Sequence, residues 1–160
     1  MKKFELSDEF VTNVFGKKLF RIKALIDFGN VEKGELGGFI EKEDNLSHDG
    51  NAWVRDDACV IGHARVSGNA CVSGNACVSD NADFAVVTGF GRYFRATTFF
   101  RCKDKIIRVQ CGCFYGDLAQ FREIVKKTHG DSKYAKEYLA ISDLMELHFS
   151  DEKEKQEADE

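Results

Sequence analysis

Between residues 51 and 84 a six-residue unit recurs almost without drift. Every unit has alanine at its second position and an apolar residue at its fourth. The alanines lie at 52, 58, 64, 70, 76 and 82, and the apolar residues at 54, 60, 66, 72, 78 and 84. A period this short is typical of repeat architectures, in which each unit forms one small element that packs on its neighbours. The repeat therefore constrains the fold more than any other part of the chain.

The two apolar positions of a unit lie two residues apart, so both point to one side of a strand and the residue between them points to the other. Glycine and asparagine follow in the cleanest copies, Ser67-Gly68-Asn69 and Ser73-Gly74-Asn75. These two residue types tolerate the positive φ of a tight corner. Each unit is therefore predicted to be one very short strand followed by a corner.

This pattern resembles the hexapeptide-repeat left-handed parallel β-helix, in which three units form one triangular coil. The resemblance implies an α+β fold class that is mainly β, with a short left-handed parallel β-helix of two to three coils. An N-terminal hairpin would cap one end of the β-helix. A C-terminal hairpin and two helices would cap the other, because the open ends of a β-helix leave backbone groups unpaired.

The repeat also predicts which residues stack. Residues 18 apart would lie one coil above another, which puts Cys59 on Cys77 and Trp53 on Cys71 at the outer surface. Faces that expose Trp53 and Cys71 would be apolar enough to pair, so a homo-oligomer, either a dimer or a trimer, is expected.

Four regions are predicted along the chain. They are an N-terminal β cap at 1–39, the repeats at 40–88, a hairpin with two helices at 89–149, and a disordered acidic tail at 150–160. Asp117 and Ser132 are the expected starts of the two helices. The glycine-rich stretch 34–38 lacks the Lys-Ser/Thr pair of a phosphate-binding loop and is interpreted as a turn.

Charge and cysteine content limit the classes of function that the protein can have. The net charge is −4, and the tail from Asp151 to Glu160, with six acids and two lysines, accounts for all of it. A neutral body argues against a general nucleic-acid binder. The N-terminal residues lack the apolar run of a signal peptide, and no long apolar run follows, so a cytoplasmic protein with reduced thiols and no membrane contact is expected.

The segment 92–108 is the predicted binding region, because it interleaves basic and aromatic residues. A two-residue turn at Asp104-Lys105 would place Arg101 opposite Arg108, and an anion would relieve the repulsion between them. The alternative is a solvated hairpin face whose arginines pair with the acids at 41–44 or in the tail. The candidate ligand- or partner-binding residues are Arg92, Arg95, Phe99, Arg101, Lys103, Arg108 and Trp53.

No catalytic, metal-binding or cofactor-binding residue is assigned. The best-known proteins with this β-helix are acyltransferases that use a histidine as general base, but His63 occupies a corner position where other units have asparagine. Cys111-Gly112-Cys113 lacks the paired Cys-x-x-Cys clusters of a strong zinc signature. A non-enzymatic protein is therefore predicted, with a small acyltransferase as the enzymatic alternative.

The order of motifs is similar to that of small hexapeptide-repeat proteins encoded by phages and prophages. The similarity lies in the lead-in Leu36-Gly37-Gly38-Phe39-Ile40-Glu41, the Asn-Ala-x-Val repeats, Phe99-Phe100-Arg101-Cys102, and the stretch from Cys111 to Gly116. It implies a non-catalytic inhibitor of a bacterial defence system, such as an anti-CRISPR protein, that binds a host defence protein or complex. The alternative is a nucleotide-signal sponge that holds an anionic nucleotide in segment 92–108.

Overall fold

The structure is a computed structural model that describes residues 2–79, 83–91, 96–111 and 114–150. Its strands are β1 (Phe4–Thr12), β2 (Lys18–Ala24), β3 (Leu36–Ile40), β4 (Trp53–Val54), β5 (Cys59–Val60), β6 (Cys71–Val72), β7 (Cys77–Val78), β8 (Phe84–Val87), β9 (Thr97–Arg101), β10 (Ile107–Cys111) and β11 (Phe114–Asp117). Two helices follow, α1 (Leu118–His129) and α2 (Lys133–His148). The predicted disordered tail lies almost entirely outside the described residues.

The strands form three sheets. The first has the order β1-β2-β3-β5-β7, the second β11-β10-β9-β8, and the third contains β4 and β6. The first sheet is mixed, since β1, β2 and β3 pair antiparallel and β3, β5 and β7 pair parallel. The second is antiparallel throughout, and the third is parallel.

The predicted left-handed parallel β-helix with separate caps is therefore wrong. The N-terminal hairpin does not close an open end, because β2 pairs with β3 and so continues the same sheet as the repeats. At the other side, the last repeat leaves the parallel arrangement. Its Phe84 begins β8, which pairs antiparallel with β9. The described sheets are thus mixed, antiparallel and parallel, and they do not stack as coils. The predicted division at residue 39 falls inside β3.

The predicted pairing of residues 18 apart is confirmed at two places. Cys59 lies opposite Cys77 in parallel register, and Trp53 lies opposite Cys71. The alternation within the units is also confirmed, because the repeated alanines and valines between 52 and 78 are at most 1 % exposed. These side chains form the main core, which Phe4, Ile22, Ile40 and Phe100 extend.

Two of the outward-pointing residues of the repeat, Trp53 and Cys59, are buried and do not form an outer surface. Trp53 is only 2 % exposed, because the ring of Phe28 packs edge-on against it with 5.3 Å between the ring centroids. Cys59 is also buried, in a small cluster with Leu19 and Phe39. The expectation of an apolar outer face around Trp53 is therefore wrong, and the argument for self-association that depended on it falls away.

Both helices begin where the sequence placed them. The Asp117 carboxylate accepts a hydrogen bond from the backbone N–H of Gln120, and the Ser132 hydroxyl accepts one from Ala135. Such side-chain caps satisfy backbone donors that have no partner within a helix. A second core lies between the helices and the antiparallel sheet. Its buried members are Phe99, Val109, Phe121, Val125, Ala135, Tyr138, Ile141, Met145 and Phe149.

Gly37 and Gly38 lie inside β3, so the interpretation of 34–38 as a turn is wrong for its last part. A Cβ atom at Gly38 would lie 2.6 Å from the carbonyl oxygen of Ala58 and 2.7 Å from a methyl of Val54. Real Cβ atoms essentially never approach backbone this closely. Glycine at this position lets β3 pack against the following repeat.

We expect Gly38→Ala to lower the free energy of unfolding by about 1–3 kcal/mol, because the added methyl group overpacks a closed site. Urea denaturation followed by circular dichroism would measure this. Leu36→Ala in the same strand is the control, since Leu36 is 53 % exposed and its loss should change stability by less than about 0.5 kcal/mol. Equal stability of the Gly38→Ala variant and the wild type would contradict the close approach.

Lys3 is a buried charge, only 1 % exposed. Its Nζ donates hydrogen bonds to the carbonyl oxygens of Ala52 at 2.7 Å and Gly50 at 3.4 Å, and it lies 4.7 Å from the centroid of the Phe28 ring. Burial lowers the pKa of Lys3 from 10.5 to about 8, although Asp49 offsets part of this effect. Burying the charged form of Lys3 therefore lowers the free energy of unfolding.

Folded Lys3 loses its proton at a lower pH than unfolded Lys3, so burying the charge destabilises the protein below about pH 8, and this cost fades as the pH rises towards 10.5. We expect the stability of the wild type relative to Lys3→Met to increase by on the order of 1–3 kcal/mol across this window. Denaturation curves at several pH values would measure the difference. Lys23→Met, at an exposed position of β2, should show no such trend. A flat difference for Lys3→Met would refute the lowered pKa.

Candidate functional site

Two of the predicted site residues, Arg92 and Arg95, lie outside the described residues. Phe99 is fully buried, and its ring packs edge-on against Phe121 with 6.0 Å between centroids. Lys103 lies exposed in the loop after β9. Phe99 thus belongs to the core between the antiparallel sheet and the helices, and it is not available to a ligand.

The register predicted for the 97–114 hairpin is wrong by one residue. Arg101 lies opposite Ile107, and Arg108 lies opposite Phe100. The connection runs from residue 102 to residue 106, because the N–H of Cys102 donates to the carbonyl of Ile106 and that of Lys105 donates back to Cys102. Lys105 has a positive φ of 69° within this loop. The two arginines therefore point to opposite faces of the hairpin.

Each of these two arginines forms an ion pair with a different carboxylate. Arg108 donates two hydrogen bonds to Asp104, both 2.9 Å long, and this pair keeps the pKa of Asp104 below its ordinary range. Arg101 donates from Nε to Asp83 at 3.0 Å. Bidentate arginine–carboxylate pairs use the same geometry that binds phosphate. The described part of the predicted anion site is therefore satisfied from within the chain.

The tip of the β1–β2 hairpin carries the most exposed apolar side chains of the described chain. Val14 is 94 % exposed and Phe15 is 80 % exposed. Phe10 and Val11, next to them at the end of β1, are each nearly half-exposed. β1 is an edge strand of the mixed sheet, so this apolar surface continues along an open sheet edge. We call these four residues the hairpin tip.

Hydrogen bonds hold the hairpin tip in one conformation. The side-chain oxygen of Asn13 accepts from the backbone N–H groups of Phe15 at 2.9 Å and Lys17 at 3.0 Å. The N–H of Gly16 donates to the carbonyl of Asn13, and Gly16 takes the positive φ of 78° that closes the turn. Asn13 thus fixes the backbone of Phe15 before any partner binds. The sequence predicts a hairpin here, but no sequence signal marks the apolar pair between Asn13 and Gly16 as exposed.

Two adjoining cavities lie between the repeats and β10. The smaller, about 340 Å³, is lined by Glu35, Leu36, Arg55, Asp56, Gly74, Gln110 and Tyr115. The larger, about 560 Å³, is lined by Gly29, Asn30, Val31, Asn51, Trp53, Arg55, Asn69, Cys71, Ala96 and Gln110. Both include Arg55 and Gln110, so they meet at these two residues. We call the combined space the Arg55 cleft.

Sequence reasoning missed the Arg55 cleft apart from Trp53. Its lining comes from the turn after β2, from β3, β4 and β6, from four corners of the repeat, and from β10 and β11. No local pattern joins these segments. Only the pairing of the strands brings them to one place.

Cys59 and Cys77 face each other across the strand pair β5–β7. Interaction between the two thiols lowers the pKa of Cys77 and raises that of Cys59. The S–H of Cys59 donates a hydrogen bond to the carbonyl oxygen of Ala76 at 3.9 Å. Lys103 lowers the pKa of Cys77 further. Cys77 is also the more exposed of the two, which makes it the more nucleophilic thiol of the pair.

We expect iodoacetamide at pH 7 to alkylate Cys77 before the other described cysteines, because the thiolate is the reacting form. Cys59→Ala removes the neighbouring thiol, returns the pKa of Cys77 towards that of an ordinary thiol, and should slow its alkylation roughly fivefold. Mass spectrometry of tryptic peptides over time would give both rates. Cys71→Ala is the control and should leave Cys77 unchanged. Alkylation of Cys77 that is no faster than that of Cys111 would refute this assignment.

The histidines do not gather around a nucleophile within the described chain. His63 is exposed at a corner. The His48 ring stacks on Phe4, its Nδ1 accepts a hydrogen bond from the backbone N–H of Lys3, and its Nε2 lies 2.8 Å from Glu43. His48 thus fixes the position of the N-terminal strand. The acyltransferase alternative stays a prediction.

Comparison with known proteins finds no protein-family model that matches the chain and no curated protein that resembles it. No helix of the described residues is long and apolar enough to cross a membrane. The hairpin tip and the Arg55 cleft are the two candidate binding surfaces of the described residues.

Proposed function

We propose that this protein is a non-catalytic binding protein that inhibits a bacterial defence system by contacting a host protein through the hairpin tip. The observation that carries the proposal is the exposure of Val14 and Phe15 on a turn whose backbone is already ordered. Buried aromatic anchors dominate protein–protein affinity, and an ordered anchor loses little conformational entropy on binding. The defence system as target follows from the similarity to phage-encoded repeat proteins.

The charges around the hairpin tip define the partner surface. Lys18 lies over the Phe10 ring, with its Nζ 4.7 Å from the centroid. Lys17 lies 3.1 Å from Glu41 and remains more than half exposed. Two lysines beside an apolar anchor fit an apolar pocket with an acidic rim, since complementary charge speeds association and selects the partner. The partner would be met in the cytoplasm of the infected or lysogenic cell.

The internal pairs of Arg101 and Arg108 favour protein contact over the nucleotide-sponge alternative in segment 92–108. An anionic nucleotide there would have to displace Asp83 or Asp104, which already satisfy these guanidinium groups. That alternative and the acyltransferase stay predictions. They are tested by thermal stabilisation with signalling nucleotides and by acetyl-CoA binding.

A plating assay tests the proposal. The protein is expressed in hosts that each carry one defence system, CRISPR–Cas systems included, and each host is infected with a phage that its system restricts. We expect the wild type to raise the plating efficiency in at least one host. The double variant Val14→Asp/Phe15→Asp should not, because charge at the anchor prevents its burial.

The control for the plating assay is Leu147→Asp, which places the same charge on another exposed apolar residue, 65 % exposed on α2. It should plate like the wild type. Once the defence system of the protected host has identified the partner protein, the double variant should bind that protein at least ~30-fold more weakly than the wild type does. Protection by the double variant equal to that of the wild type, or no protection in any host, would overturn the proposal.

A further inference from the structure

An unpartnered donor marks the Arg55 cleft. Nε1 of Trp53 is the one buried side-chain nitrogen or oxygen atom among the described residues without a hydrogen-bond partner. Leaving a buried N–H unpaired destabilises the folded protein. Trp53 is 2 % exposed and lines the larger cavity of the cleft. The N–H itself is closed to solvent, so Trp53 is a reporter group at the wall of this cavity and not a contact for a ligand.

Arg55, the arginine of the cleft, differs in its contacts from four other arginines of the described residues. Arg21, Arg101, Arg108 and Arg122 each donate hydrogen bonds to oxygen atoms of the chain. The Arg55 side chain forms no hydrogen bond with the described residues, and its nearest carboxylate oxygen, on Glu35, is 3.9 Å away. A guanidinium group presents five donors in a fixed plane that matches carboxylate and phosphate groups. Arg55 therefore has donors to offer to an anion.

Among the described residues, the rest of the lining of the larger cavity is uncharged: Gly29, Val31, Trp53, Cys71 and Ala96 are apolar, and Asn30, Asn51, Asn69 and Gln110 are polar. The amide side chains of Asn30, Asn51 and Asn69 surround it, and all three residues are exposed. The amide oxygen of Gln110 accepts a hydrogen bond from Ser73 at 2.8 Å, which fixes the side chain at the junction of the two cavities. Acidic side chains, Glu35 and Asp56, line only the smaller cavity. The charges thus place an anion on the larger-cavity side of Arg55.

We propose that the Arg55 cleft binds a small organic anion, a molecule the size of a nucleoside monophosphate or a tricarboxylate. Arg55 pairs with its phosphate or carboxylate group, and the asparagine amides contact its neutral part beside the ring of Trp53. Volumes of about 340 and 560 Å³ lie in the range of small-molecule sites. The cleft is separate from the hairpin tip, so this proposal and the proposed function are tested independently of each other.

Trp53 is the single tryptophan of the chain, so its indole N–H gives one assignable signal in a ¹H–¹⁵N correlation spectrum. The full-length protein would be titrated to about 1 mM with inorganic phosphate, adenosine monophosphate and citrate in separate experiments. We expect this signal to shift and saturate with adenosine monophosphate or citrate. A saturating shift with inorganic phosphate alone would retain the anion site and overturn the organic part of the proposal.

Variants separate the cleft from general charge effects. Calorimetric titration of Arg55→Ala should show at least ~10-fold weaker binding, because a hydrogen bond to a charged group is lost. Glu35→Gln should bind several-fold more tightly, since it removes the carboxylate nearest to Arg55, and a gain of affinity cannot come from misfolding. Arg122→Ala, an arginine on α1 outside the cleft, is the control and should bind like the wild type.

No saturating shift of the Trp53 signal with any of the three anions would overturn the proposal. Wild-type affinity in the Arg55→Ala variant would overturn it as well. A shift that Arg122→Ala abolishes as completely as Arg55→Ala does would show a general charge effect and would also count against the cleft.

Discussion

Backbone pairing between segments eighteen residues apart is the constraint on which the rest of the structure depends. The pairs Cys59–Cys77 and Trp53–Cys71 hold successive repeats in parallel register. This register stacks the alanine and valine side chains into a core that is almost completely closed to solvent. Strands of two residues contribute few hydrogen bonds each, so their stability comes from this shared apolar interior.

At both ends of the repeats, pairing with a neighbouring segment changes from parallel to antiparallel. Before the repeats, β3 pairs parallel with β5 on one side and antiparallel with β2 on the other, which makes the sheet mixed. After them, Phe84 joins an antiparallel sheet, where it lies opposite Phe100. A sheet edge accepts a strand of either direction, since each direction satisfies the same backbone donors and acceptors. The repeat alone could not choose between these partners.

The two proposed binding surfaces differ in physical character. The hairpin tip is an exposed apolar anchor on a preordered turn, which suits a protein partner. The Arg55 cleft is a recess in which the Arg55 side chain forms no hydrogen bond with the described residues, which suits a small anion. By contrast, Arg101 and Arg108, the residues that looked most like a binding site in the sequence, are satisfied by acids close to them in the structure.

The sequence by itself determined the elements whose causes are local. It placed the helix starts at Asp117 and Ser132, the two hairpins, the alternation inside the repeats and the spacing of paired residues, because capping, turn chemistry and periodicity act within a few residues. Only the tertiary structure decided that the first sheet is mixed and that the register of β9 and β10 is shifted by one residue from the predicted one. It also decided that Phe28 covers Trp53 and that the Arg55 cleft forms. Each of these depends on contacts between segments far apart in the chain, which no local pattern encodes.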